Sequence, residues 1–266
     1  MARGRAGSDG VAVSQIEVFT APEFDTERLR AHEVGLTPEP VTRQWIEVLA
    51  RRRSAPRTIL IPGAGSGVEA KVCRETWPDA YIVAIEPRAE EHRHLARYCD
   101  EVWSCTFEEW ADRVHEDERF DLIVTNPPFS KARPAEVDGE VVTWIDRRDD
   151  LLEEGGLLTL LMPNDFLDRT RVEVAWLLEV DEYGHCPNAP IRHSRIADRV
   201  GFYGGSGTDS NTHGWWTWMR SDHDGFGGQR SGRRDLNSGG ATWLCEQLPW
   251  LPGHERKWKR RPGTED

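Results

Sequence analysis

The chain has 266 residues, 38% of them hydrophobic, with a formal net charge of −12, enough apolar material for one ordinary domain plus an appendage. No stretch approaches the roughly 18 consecutive apolar residues that a membrane span requires, and MARGRAGSDG lacks an apolar run behind its charges, so it is not expected to be a secretory signal. The acidic balance also excludes a protein that grips nucleic acid by bulk charge alone.

Residues 1–30 read as an N-terminal arm, partly disordered. Val41, Trp45, Val48 and Leu49 within 41–53 share one helical face. TILIPG (58–63) is a short β-branched run ended by Pro and Gly. VEAKVCRETW (68–77) has a helical pattern and AYIVAIEP (80–87) reads as a second strand. AEEHRHLARYC (89–99) is again helical, EVWSC a third strand, and a helix follows near 107–115. FDLIVTN gives a fourth strand, a helix is expected around 140–153, and GGLLTLLMP (155–163) makes a fifth strand. Continuous apolar strands separated by helices imply an α/β fold, a parallel sheet covered on both faces. Two further strands joined by a Gly-rich loop are expected in 189–220. Residues 31–220 therefore read as one domain. The Gly, Asp, Ser and Arg of 221–240 suit a linker that opens a C-terminal extension, 221–266. Within that extension WLCEQLPWL reads as a short buried helix, so Trp243, Trp250 and Trp258 pack the tail onto the body rather than read bases.

The five cysteines (Cys73, Cys99, Cys105, Cys186, Cys245) are odd in number and form no Cys-x-x-Cys pair. That points to reduced thiols in a cytoplasm. His92 and His94 sit in EHRH without a His-Glu-x-x-His frame, so they read as solvated helix residues and no metal site is expected. Charge is uneven along the chain: Arg230 to Arg261 holds eight basic residues against three acidic ones. A basic tail on an acidic body is compatible with DNA; a solvated tail is the competing reading.

In ILIPGAGSGVEAK a strand runs through Pro62 into Gly63-Ala64-Gly65-Ser66-Gly67 and then into a helix. Glycines let the backbone turn sharply and let a ligand approach without a Cβ in the way. The helix start adds unpaired N–H groups, and Glu86, about 20 residues on at the end of the next strand, suits ribose hydroxyls. The combination points to an adenosine-containing cofactor. Val68 stands where a dinucleotide fingerprint wants its last glycine, and the Gly-Lys-Ser/Thr of a P-loop is absent. S-adenosylmethionine suits the spacing, having no pyrophosphate to cradle. A purely structural tight turn is the alternative, and Glu86 weighs against it.

The fourth strand leaves the core through Asn126-Pro127-Pro128-Phe129. The prolines fix the backbone and remove two N–H donors, so the turn presents carbonyl oxygens. Asn126 adds a side-chain carbonyl, and Phe129 offers a face for a flat ring. Rigid paired acceptors suit the exocyclic amine of a planar base. Such a base must leave its duplex to arrive there. A Pro-Pro turn with a capping Asn and a core Phe is the structural alternative.

These residues resemble the amino-methyltransferase group of S-adenosylmethionine-dependent enzymes over roughly 32–220, and within it the DNA adenine-N6 methyltransferases of phages and prophages. GLTPEPV (35–41), the glycine loop and NPPF follow in that group's order. The resemblance implies a Rossmann-like class I methyltransferase fold: a mostly parallel seven-stranded sheet with an antiparallel last strand, helices on both faces. It implies that Thr37 and Pro38 line the methionine end, that Gly63, Ala64 and Gly65 pass under the cofactor, that Glu86 takes the ribose, and that Phe107 flanks the adenine ring. Asn126, Pro127 and Phe129 would hold the target adenine, and the Thr208-Asp209-Ser210 loop of GFYGGSGTDSNTHGWWTW (201–218) would lie near DNA. Two departures stand out: Ile61 replaces a common acidic residue before the glycine motif, and Thr106 replaces an aspartate that often contacts the cofactor adenine. The same tetrapeptide serves cytosine N4 in DNA, guanine N2 in RNA and glutamine in protein. A binding module that has lost catalysis is a further alternative.

Overall fold

The computed structural model describes residues 19–20, 37–115, 117–167, 170–179, 188–196, 212–220, 233–235, 240–242 and 244–249. The expectations for the rest of the N-terminal arm, Gly35 and Leu36, Cys186, the Thr208–Ser210 loop, Trp243, Trp250, Trp258 and most of the 221–266 extension lie outside those residues.

The elements in chain order begin with strand β1 (Phe19–Thr20), helix α1 (Glu39–Arg52), β2 (Thr58–Pro62) and α2 (Val68–Thr76). β3 (Tyr81–Ile85), α3 (Ala89–Leu95), β4 (Glu101–Ser104), α4 (Phe107–Ala111), β5 (Phe120–Thr125) and α5 (Phe129–Ala132) follow. A hairpin of β6 (Ala135–Val137) and β7 (Glu140–Val142) leads through a 3-10 turn (Trp144–Arg147) into α6 (Arg148–Leu151) and the long strand β8 (Leu152–Pro163). The remainder is α7 (Arg171–Leu177), β9 (Arg192–Arg195), β10 (His213–Met219), β11 (Arg233–Asp235), β12 (Gly240–Thr242) and β13 (Leu244–Gln247).

Nine strands form one sheet in the order β1-β4-β3-β2-β5-β8-β10-β9-β13. Every neighbouring pair is parallel except those of β10, which runs antiparallel to both β8 and β9. The seven-stranded Rossmann-like sheet expected from the sequence is thus present, from β4 to β9, with β10 as its antiparallel member. Two edge strands widen it to nine: Phe19–Thr20 pairs with β4 and Leu244–Gln247 with β9.

Strand alternation feeds two apolar layers. Ile59 and Ile61 of β2 enter one layer with Val41, Trp45, Ile46 and Leu49 of α1 and Ala70 and Val72 of α2. Leu60 between them faces the other, with Phe107 and Trp110 of α4, Trp144, Leu151 and Trp176. Helices therefore cover both faces. Ile61, the first departure from the family pattern, is fully buried.

α1 starts where Pro38 and Pro40 dispense with N–H groups that have no intrahelical partner. Glu39 in its first turn and Arg51 and Arg52 in its last complement the helix dipole.

Two local expectations change. The helix expected around 140–153 is a hairpin, a 3-10 turn and a single helical turn, because Asp138 and Gly139 take φ of 54° and 86°. That is the left-handed pair a two-residue hairpin turn needs. WLCEQLPWL is not helical over 244–247 but forms β13. Glu246 fixes it there: Arg52 donates from both Nη atoms at 3.0 Å, and Arg192 Nη1 donates at 2.9 Å. Leu248, 3% exposed, then enters the core. Among the described residues no helix is long and apolar enough to cross a membrane.

Candidate active site at the strand switch point

β2 lies between β3, which follows it in the chain, and β5. The winding direction reverses between β2 and β5, and ligands of open α/β sheets sit beyond the carboxyl ends of the strands at such a reversal. Pro62 ends β2 and Thr125 ends β5, and the Thr125 hydroxyl donates to the Pro62 carbonyl at 2.6 Å. This bond holds the two strand ends at a fixed separation, with the glycine loop leaving one and Asn126 leaving the other.

Gly63, Gly65 and Gly67 have φ of 61°, 56° and 82°, a conformation that costs other residues dearly. Ala64 N–H donates to Ile85 O at 3.0 Å, pinning the loop across the end of β3. The Glu86 carboxyl is 3% exposed. It accepts Gly65 N–H on Oε2 at 2.8 Å, and Arg88 N–H and Nε–H on Oε1 at 3.0 and 2.8 Å. Two carboxylate oxygens offer about four lone pairs, so three are already engaged. A ribose diol seeking both oxygens would displace the Arg88 guanidinium. His92, read from sequence as solvated, is buried and pairs through Nε2 with Glu86 O at 2.6 Å.

A Cβ built on Gly63 would lie 3.7 Å from Pro128 Cδ and 3.7 Å from the Trp144 ring. The glycine loop and the Asn126–Phe129 turn, distant in sequence, are therefore neighbours, separated at Gly63 and Pro128 by no more than the space of a methyl group. Pro127 is buried; Asn126, Pro128 and Phe129 are half-buried. Asn126 Nδ2 donates to Thr37 Oγ1 at 3.1 Å. That bond brings Thr37, which is 5% exposed at the threshold of α1, to the same place. Pro38 follows as the N-terminal cap residue of α1. The Pro128 carbonyl accepts Lys131 and Ala132 N–H at 3.0 and 3.1 Å, closing the single turn of α5.

Phe107 is less open than the resemblance implies. It is 4% exposed, with its ring edge-on to Trp144 at 4.7 Å and stacked near Trp110 at 6.2 Å. Trp144, on which Phe107 packs, is the aromatic ring that approaches Gly63. Thr106 caps α4: its hydroxyl accepts Glu109 N–H while the Glu109 carboxylate accepts Thr106 N–H. The second departure thus replaces an aspartate with another good capping residue.

Sequence reasoning missed three polar side chains, one of them beside Phe129. His213, fully buried at the start of β10, places its ring 5.8 Å from that of Phe129. His193 on β9 stacks on Trp216 at 3.7 Å and pairs with Asn164 Oδ1 at 2.9 Å. The available signal was Asn164 directly after Pro163, a polar residue at a strand's carboxyl end.

Burial, and secondarily the positive charge of Arg195, pushes His193 down to about 4 from its ordinary 6.5. The unfolded chain therefore binds a proton that the folded chain refuses as pH falls between those values. Stability should be full above pH 6.5 and fall by about 3 kcal/mol on reaching pH 4. Urea denaturation across that range should show the loss, and His193→Gln should flatten it.

A separate pocket of about 400 Å³ opens at the other end of the strands, lined by residues including Arg53, Pro56, Asp121 and Gly155. None of the glycine-loop residues or Asn126 lines it.

No protein-family model matches the sequence, and no curated protein matches it. Among solved structures, one described as the modification subunit of a type I restriction enzyme from Vibrio vulnificus YJ016 aligns with a TM-score of 0.46 at 18% identity, over 72% of this chain and 45% of that one. One described as an RNA methyltransferase from Pyrococcus horikoshii aligns with a TM-score of 0.46 at 13% identity, over 79% of this chain and 95% of that one. Coclaurine N-methyltransferase, bound to N-methylheliamine and SAH, aligns with a TM-score of 0.34 at 13% identity, over 46% of this chain and 35% of that one. The chain thus spans less than half the length of the restriction subunit.

Proposed function

We propose that the chain transfers a methyl group from S-adenosylmethionine to the N6 amine of an adenine flipped out of DNA. The observation that carries this reading is the juxtaposition of the two motifs, with Gly63 beside Pro128 and the Asn126 amide held from inside by Thr37. With Nδ2 donating to Thr37, Oδ1, buried in this structure, is the end of the amide that would receive a substrate N–H once the base enters. The Pro128 carbonyl is taken by α5, which favours the Pro127 carbonyl as the second acceptor.

An adenine amine is a poor nucleophile because its lone pair is delocalised into the ring. Two acceptors on its hydrogens favour the tetrahedral nitrogen that has recovered that lone pair, and their rigidity avoids reorganisation during reaction. Phe129 supplies a face for the base, backed by His213. The cofactor, when bound, supplies an electrophilic methyl on sulfur. The residues present fit it: between Gly63 and Gly67 only Ala64 and Ser66 carry side chains, Glu86 would take a diol hydroxyl on Oε2, or on both oxygens once Arg88 is displaced, and Thr37 and Pro38 would border the methionine end.

Incubating the purified protein with labelled S-adenosylmethionine and separate acceptors tests this directly. The acceptors are adenine-containing duplex DNA, an adenine-free duplex, RNA and protein. Label should enter only the adenine-containing duplex and digest to N6-methyladenine. Label in the adenine-free duplex would make cytosine N4 the target, and label confined to RNA or protein would overturn the DNA assignment.

A further inference from the structure

Glu86 is buried at the end of β3, and the cation paired with it is Arg88, two residues on. Arg88 Nε–H donates to Oε1 at 2.8 Å, where the Arg88 backbone N–H also donates at 3.0 Å, and Gly65 N–H holds Oε2 at 2.8 Å. The guanidinium extends from there over the glycine loop. Gly65 has a left-handed φ of 56°, and the atom nearest to the Cβ it lacks is Arg88 Nη2, at 3.7 Å. A second carboxylate lies within reach of the same side chain: Glu91 Oε1, on α3, is 3.6 Å from Arg88 Nη1.

A carboxylate has about four lone-pair sites. Three donors of the chain itself leave one of them, and a ribose diol brings two hydroxyls. The first takes the open site; the second needs a site already held. The two backbone N–H groups are fixed by the chain, whereas the Arg88 side chain can turn away. We propose that Arg88 is a specificity-determining residue of the cofactor site, its guanidinium competing with the second ribose hydroxyl for Glu86 and passing to Glu91 when the diol binds. This rests on the reading of Glu86 as the ribose carboxylate given above. One donor to a charged acceptor then replaces another, so the second hydroxyl adds little net affinity. The chain therefore discriminates only weakly between ribose and deoxyribose ligands. Without the guanidinium the same hydroxyl satisfies a buried acceptor that has lost its partner, and its bond becomes a net gain.

Arg88→Met removes the guanidinium and keeps an unbranched stem. In calorimetry S-adenosylhomocysteine should bind this variant about threefold to tenfold more tightly than the parent, the reverse of what losing a binding contact does. That ligand carries no sulfonium, so relief of charge repulsion plays no part. Its 2′-deoxy and 3′-deoxy analogues test the hydroxyls one at a time: for at least one, the penalty relative to the diol should be about threefold or more larger in Arg88→Met than in the parent. Glu91→Gln removes the second partner and should weaken binding by about twofold, with no effect once combined with Arg88→Met. Without ligand, Arg88→Met should melt several degrees below the parent, and saturating S-adenosylhomocysteine should narrow the gap. Unchanged or weaker binding in Arg88→Met, an equal deoxy penalty in both proteins, or no binding to either overturns the competition. Should Arg88→Met fail to fold, Glu91→Gln decides, and unchanged or tighter binding there overturns it. Tighter binding by Arg88→Met in a protein that transfers no methyl group to any acceptor would sink the methyltransferase reading and leave the competition standing. Methyl transfer by the parent without that tightening would do the reverse.

Discussion

Replacing Asn126 with alanine is expected to lower the single-turnover rate of methyl transfer by about a hundredfold to a thousandfold, the usual cost of removing one preorganised polar partner from a reacting group. Pro127 would still offer its carbonyl, so the amine would lose one acceptor of two. The side chain is half-buried and lies in the turn after β5 rather than in an apolar layer, so the fold should tolerate the change. Thermal unfolding should move by only a few degrees, corresponding to about 1 kcal/mol. Single-turnover measurement matters here because product release can mask the chemical step. A rate within a few-fold of the parent would show that the turn at 126–129 is structural.

Trp45→Ala carries the largest expected cost in stability, about 3–5 kcal/mol. The side chain is fully buried between α1 and the sheet, where its ring lies 5.9 Å from that of Trp215 at an interplanar angle of 9°. Its Nε1–H donates to Thr159 Oγ1 at 2.9 Å, and Thr159 also meets Thr217 Oγ1 at 3.4 Å. Truncation opens a cavity beneath α1 and strips one partner from a fully buried hydroxyl. Trp45→Phe, which keeps one six-membered ring but loses the pyrrole part of the indole with its N–H, should cost about 1–3 kcal/mol. Urea denaturation separates the two, and near-equal losses would mean that the hydrogen bond outweighs the packing.

The central strands were legible because each is an apolar run closed by Gly, Pro or Asn. Helices α1 to α3 were legible because their apolar residues recur at helical spacing. β13 was not. Leu244, Leu248 and Leu251 are spaced as on a helix, and only the arginines converging on Glu246, from α1 and from β9, decide for a strand. Asp138-Gly139 was a readable turn signal immediately before the stretch expected to be a helix. The site was legible in its two glycine and proline motifs, which are continuous in sequence. The burial of Glu69 was not legible, since a glutamate in the first turn of a helix ordinarily faces water, and here α1 packs over it through Thr42. Asn164, His193 and His213 escaped for the same reason: each is an ordinary polar residue until separate strands bring them together.

The ion pair between Arg52 and Glu246 joins residues 194 apart in sequence, and Gln44 Nε2 reaches Pro249 O across 205. During translation, α1 must therefore wait for almost the whole described chain to emerge before its outer side is secured. Closing so long a loop is paid in entropy before any contact returns it. A ribosome stalled before residue 244 would carry a nascent sheet with β9 still bare along one side, a template for strands from other chains.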